Sequence, residues 1–158
     1  MVRGQRSAGV LLFRRQANGL RVLLGHPGGP FWRNKQSGAW SIPKGLVESD
    51  EDERAAALRE FREETGSKLD GKIMEALGET TLRSGKIVVA WAVEGDLDVD
   101  TLVSNSVRLE WPRGSGTILE FPEIDEIRWC ALDEARTLIN PGQVPFLNRL
   151  QDRLNHCQ

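Results

Sequence analysis

The stretch from Ser49 to Gly66 is written as a helix with both ends marked, and it constrains everything around it. Ser49 and, three residues later, Asp52 make a capping-box-like pair, and Asp50 to Glu53 place negative charge at the positive end of the helix dipole. Gly66, just behind Thr65, suits the left-handed position that ends a helix. Between these marks Leu58 and Phe61 fall on one side at helical spacing, with Ala57 beside them. That anchoring face is small, and the segments on either side of the helix read as strands.

Upstream, residues 8–13 (AGVLLF) and 21–25 (RVLLG) are strand-length apolar runs joined through the Asn18-Gly19 turn signal. A Gly/Pro-rich loop follows, His26 to Lys35, and then Ala39-Trp40-Ser41-Ile42, which alternates like a strand and is stopped by Pro43. Downstream, 73–82 and 86–93 read as strands around Ser84-Gly85, and 107–111 with 117–121 as a hairpin or flap. The stretch 96–105 carries no clear signal. Residues 126–130 read as a last strand, 133–139 as a helix, and Val144, Leu147, Leu150 and Leu154 mark a final amphipathic helix. Strands before, between and after helices predict an α/β fold, a mixed sheet sandwiched by helices.

At 158 residues the chain has the length of one domain, read as 1–158. Its formal charge of −2 excludes a basic nucleic-acid coat, and its longest apolar runs fall far short of the ~20 residues that span a bilayer. Met1 to Arg6 does not lead into a secretory signal, so the expected location is cytoplasmic, with no membrane and no stable nucleic-acid partner. Cys130 and Cys157 lack C-x-x-C spacing and are expected to be plain thiols. Oligomeric state is not legible.

On the helix, Glu60, Glu63 and Glu64 project within one arc of roughly a quarter to a third of the circumference, beside the apolar stripe rather than opposite it. Like charges at this spacing repel unless a cation lies among them. A solvated acidic face is one reading and a divalent metal site bordering a cleft is the other. The whole chain has two histidines, His26 and His156, so an oxygen-ligated Mg²⁺ or Mn²⁺ suits it better than zinc.

Gly45, Glu51, Arg59, Glu60, Phe61, Glu63, Glu64 and Gly66 fit the box G-x5-E-x7-R-E-U-x-E-E-x-G-U, where U is bulky and apolar; only Ser67 departs from it. Here the chain resembles the Nudix hydrolase family. The resemblance implies an α/β/α sandwich and hydrolysis of a nucleoside diphosphate linked to another group. It implies metal ligation by Glu60, Glu63, Glu64 and the backbone carbonyl of Lys44, with Mg²⁺ as cofactor and Mn²⁺ as its substitute. It also implies that Glu51 and Arg59 form an ion pair orienting the helix, with Gly45 and Gly66 as structural supports. The general base stays open among Glu60, Glu64 and the loop residue Glu123.

The flanking strings AGVLLFRR, WSIPKG and Glu123 ahead of Ile127-Arg128-Trp129 resemble the asymmetric diadenosine tetraphosphate hydrolases of that family. His26 to Trp32, with Trp111-Pro112-Arg113, resembles a bacterial group of nucleotide pyrophosphohydrolases. The expected partner is therefore a small nucleotide, with a dinucleoside polyphosphate foremost. An RNA 5′-end pyrophosphohydrolase and a non-catalytic nucleotide-sensing module are the alternatives. Such a ligand wants stacking surfaces and cations. Trp32, Trp40, Trp91 and Trp111 are candidates for the first, and Lys44, Arg83 and Arg113 for the second, with His26 as a phosphate contact.

Overall fold

The computed structural model describes residues 5–69 and 71–156. The readings of Cys157 and of the first four residues of Met1 to Arg6 therefore lie outside the described residues. β1 (Arg6–Gln16) is the axis of the main sheet, built of apolar residues on both faces because both are covered. It runs parallel to β5 (Ile87–Glu94) along one edge. Along its other edge it changes partners: residues 7–9 pair with β3 (Lys44–Leu46) and residues 13–16 with β2 (Gly19–Pro27). β4 (Glu75–Thr81) flanks β5, and β8 (Ile124–Ala131) flanks β2, giving the mixed order β4-β5-β1-β2-β8.

Alternation along β1 sends Ala8, Val10 and Leu12 to one face and Leu11 and Phe13 to the other. On the first face lies α1 (Glu53–Thr65), which buries Ala56, Ala57 and Phe61. On the second lie α2 (Leu132–Leu138) and α3 (Val144–His156), whose Phe146, Leu147 and Leu150 are fully buried. This is the expected α/β sandwich. Leu58 is only partly buried, so the anchoring face of α1 is carried by its alanines and Phe61. β6 (Ser106–Glu110) and β7 (Ile118–Pro122) form a separate two-stranded sheet, the hairpin read from sequence.

Two local expectations are corrected. The helix cap is Asp52, not Ser49: its carboxylate accepts from the Ala55 amide at 3.1 Å, and Ser49 lies in the preceding turn with Asp50 at φ 65°. Residues 39–42 form no strand ladder but only single bridges, Trp40 to Ile139 and Ser41 to Gly25, and the strand follows Pro43 instead. Beyond Ser41 a side chain takes over from the backbone. The buried Gln143 accepts from the Ile42 amide at 3.0 Å and donates to the Ser41 hydroxyl at 3.0 Å. Among the described residues no helix is long and apolar enough to cross a membrane.

Candidate active site

Helix α1 lies against β1 and β3, and this packing places its acidic residues beside the strand that carries Lys44 and Gly45. Glu60 and Glu64 are buried and Glu63 is half-exposed. A Cβ on Gly45 would overlap the Glu60 carboxylate, so only glycine leaves room for it. The Lys44 amide donates to Glu64 Oε1 at 3.2 Å. At the helix end, Gly66 adopts φ 82° and donates its amide to Arg62 O at 2.7 Å, the expected left-handed stop.

Arg59 organises the solvent side. Its Nε and Nη2 donate to Glu51 at 2.8 and 3.0 Å, and Nη2 also donates to Leu46 O at 3.0 Å. Its Nη1 donates to Glu60 at 2.7 Å and to Glu63 at 3.1 Å. Hydrogen bonds from Arg59 hold the Glu51 carboxyl far below its ordinary range, at about 2.

Glu123, in the turn between β7 and β8, faces the same cluster. Burial pushes Glu64 up to about 9, with the Glu123 charge as the next cause. Burial also raises Glu60, against the pull of Arg59, and raises Glu123, with Glu63 adding to it. Lys44 is lowered by burial, although Glu64 opposes this. The charge of Lys86 lowers Lys44 further.

Backbone from the stretch without sequence signal holds this arrangement together. The Asn105 amide donates to Glu63 O at 3.0 Å, and Asn105 O accepts from the Glu123 amide at 2.8 Å. Asn105 thus ties the end of α1 to the Glu123 turn through main-chain atoms alone, which leave no mark on residue type. Gln143 was missed as well; a glutamine before a helix is an ordinary surface residue in a sequence.

The proposed base and phosphate contacts divide differently. Trp40 is corrected: it is fully buried, its indole N–H donates to Gln36 at 3.0 Å, and its ring packs on His26 and under Arg128, so it has no face for a base. His26 is corrected too, because it is buried and both ring nitrogens are already engaged. Arg83 and Arg113 stand exposed on the β4–β5 and β6–β7 turns, without a hydrogen bond or ion pair to the carboxylates among the described residues. Trp91 packs into the core beneath α1, while Trp32 and Trp111 are half-buried.

The donor set fits a hard divalent cation. Four carboxylates converge, three are held in unfavourable surroundings, and an oxygen-seeking dication would relieve both burial and repulsion. Among the described residues no three such side chains stand as a ready-made metal cage. Arg59 holds Glu60 and Glu63, and Glu64 is turned onto the Lys44 amide.

The sequence matches the model of the NUDIX domain over residues 3–150. It is 30% identical over 125 residues to an RNA pyrophosphohydrolase of Acidiphilium cryptum, covering 70% of this chain and 68% of that protein. A second RNA pyrophosphohydrolase, from Roseobacter denitrificans, is 48% identical over 48 residues, which is 30% of this chain and 29% of that one. In fold, the C. elegans Ap4A hydrolase in a binary complex superposes with a TM-score of 0.68 at 21% identity, covering 95% of this chain and 98% of that chain. The NUDIX domain of Shewanella oneidensis NrtR complexed with ADP ribose superposes with a TM-score of 0.66 at 16% identity, over 98% and 90% of the two chains. With the box residues gathered on α1, β3 and the turns that flank the helix, and the match running over residues 3–150, the chain belongs to the Nudix family of hydrolases.

Proposed function

We propose that this protein is a divalent-metal-dependent hydrolase that cleaves a phosphoanhydride bond in nucleoside polyphosphates, with dinucleoside polyphosphates such as diadenosine tetraphosphate as the preferred class. The observation that carries this reading is the convergence of Glu60, Glu63, Glu64 and Glu123 beside Lys44. Glu60, Glu63, Glu64 and the Lys44 carbonyl would hold Mg²⁺ or Mn²⁺. Such an ion, when bound, neutralises the phosphate chain and lowers the pKa of water in its shell. Arg59 holds Glu60 and Glu63 in place from the outside, and the Gly45 gap fixes where the Glu60 carboxylate can lie. Glu123 has no hydrogen-bond or ion-pair partner for its side chain among the described residues, and burial raises its proton affinity. It is therefore the carboxylate free to take a proton from the attacking water, ahead of Glu60 and Glu64. The Lys44 amine supplies positive charge for the phosphate oxygens.

The test is product analysis in ¹⁸O-labelled water with Mg²⁺, on diadenosine tetraphosphate, nucleoside triphosphates and triphosphorylated RNA. Release of labelled nucleotide from the dinucleotide, abolished in Glu64→Gln, is expected; undiminished turnover in that variant overturns the site. A second reading, pyrophosphate removal from RNA 5′ ends, is favoured by the identity to the A. cryptum protein. Faster cleavage of triphosphorylated RNA than of the dinucleotide would select it.

A further inference from the structure

Beside Glu123 two segments meet whose side chains take no part in the carboxylate cluster. His26, near the end of β2, is 3% exposed. Its Nδ1 lies 2.8 Å from Asp125 Oδ1 and its Nε2 lies 2.7 Å from the Lys35 carbonyl oxygen. The Lys35 carbonyl only accepts, so Nε2 donates to it, and Nδ1 is left to pair with the Asp125 carboxyl. The charged groups around it are Asp125, Glu126 across the β2–β8 ladder, Arg128 stacked on Trp40, and the Lys35 amine on the loop.

Residues 28–35 leave this histidine and return to it. At the start of the loop the Gly28 amide donates to Glu123 O at 2.9 Å, and at its end Lys35 O accepts from the ring. Both ends are thus fastened to the turn of Glu123 and Asp125. Two glycines permit the close approach: a Cβ on Gly28 would strike the Pro122 carbonyl, and one on Gly29 the Phe121 ring. Between the loop and β7 lies a cavity of about 320 Å³ lined by Pro30, Arg33, Leu119, Phe121 and Asp125. Arg33 is exposed and has no ion pair among the described residues. Phe31 meets Trp32 edge-on at 4.9 Å, and the Lys35 amine lies 3.4 Å above the Phe31 ring centre.

We propose that His26 and Asp125 are positioning residues that lock the 28–35 loop to the Glu123 turn through an imidazole engaged at both ring nitrogens. The lock holds one wall of a nucleotide-binding cleft, where Arg33 offers charge to phosphate and the Phe31–Trp32 pair offers a face to a base. This rests on the nucleotide reading above and adds to it the residues that shape recognition.

Calorimetric titration of the full chain with α,β-methylene ATP separates the two, because it needs no turnover. His26→Ala and Asp125→Ala are expected to bind about tenfold more weakly, the effect of losing a charge-assisted hydrogen bond, and Asp125→Asn, which keeps an acceptor, less so. In turnover the same variants should raise KM with kcat little changed. Phe31→Ala, at a half-exposed position, should weaken binding without touching the fold. Binding equal to wild type in folded Asp125→Ala and Phe31→Ala overturns the proposal, as does a wild-type protein that does not bind the analogue. Binding without hydrolysis of any substrate would instead defeat the hydrolase reading and leave the lock standing.

Discussion

The carboxylate of Glu60 occupies the space in which any side chain on Gly45 would begin. Gly45→Ala should therefore push Glu60 aside without exposing the core. Misplacing a reacting group by about 1 Å costs on the order of a hundredfold in rate. Steady-state hydrolysis should fall by about that factor, while the circular dichroism spectrum stays that of wild type. Full activity in the variant would show that Glu60 has no fixed place in the reaction.

Burial displaces the Glu64 carboxyl from an ordinary 4.5 to about 9. A carboxyl raised on folding binds more protons in the native state than in the unfolded one over that interval. Its contribution to stability is thus complete below 4.5 and is lost as pH rises through 9. Metal-free protein should melt lower at pH 8 than at pH 6, and Glu64→Gln should flatten this difference. Mg²⁺ should raise the melting temperature of the wild type at pH 8 and do less for the variant. Calorimetric scans with and without chelator check both.

Glu51 behaves in the opposite sense, lowered from 4.5 to about 2 by Arg59. Its stabilising contribution is present above 4.5 and is lost as pH falls toward 2. The gap in melting temperature between wild type and Glu51→Gln should be widest above pH 5 and should close on acidification. A gap that grows at low pH would contradict the pairing. Activity should fall too, because a released Arg59 is free to bind Glu60 and Glu63 more fully.

Phe61 is fully buried between α1 and the sheet. Phe61→Ala should cost about 3–5 kcal/mol of unfolding free energy by loss of contacts and creation of a cavity, read from urea denaturation.

Cys130 is fully buried, and burial pushes its thiol up to about 12. Mass spectrometry after brief treatment with iodoacetamide should find it unmodified in folded protein and modified in urea.

Much of this architecture was legible because it rests on periodicity and on single-residue signals. The acidic arc, the Gly66 stop and the β6–β7 hairpin all follow from spacing and turn chemistry. What escaped reading depends on contacts between distant segments. Ser49 and Asp52 are equally good caps in sequence, and only the course of the Glu48–Glu51 turn selects Asp52. Trp40 reads as a strand aromatic with a face for a base until Ile139 and Gln143, some hundred positions on, close over its segment. His26 looks like a phosphate contact because nothing nearby in sequence announces Asp125 as its partner.

β1 changes partners midway, pairing with β3 over residues 7–9 and with β2 over residues 13–16. The chain between β2 and β3 therefore leaves one arm of a fork and enters the other, and the stretch 29–37 belongs to neither ladder. That stretch can be redrawn in length and chemistry while α1 and its glutamates keep their footing. On the reading proposed above, admission and cleavage rest on separate parts of the scaffold, the 29–37 stretch for the first and α1 with its glutamates for the second.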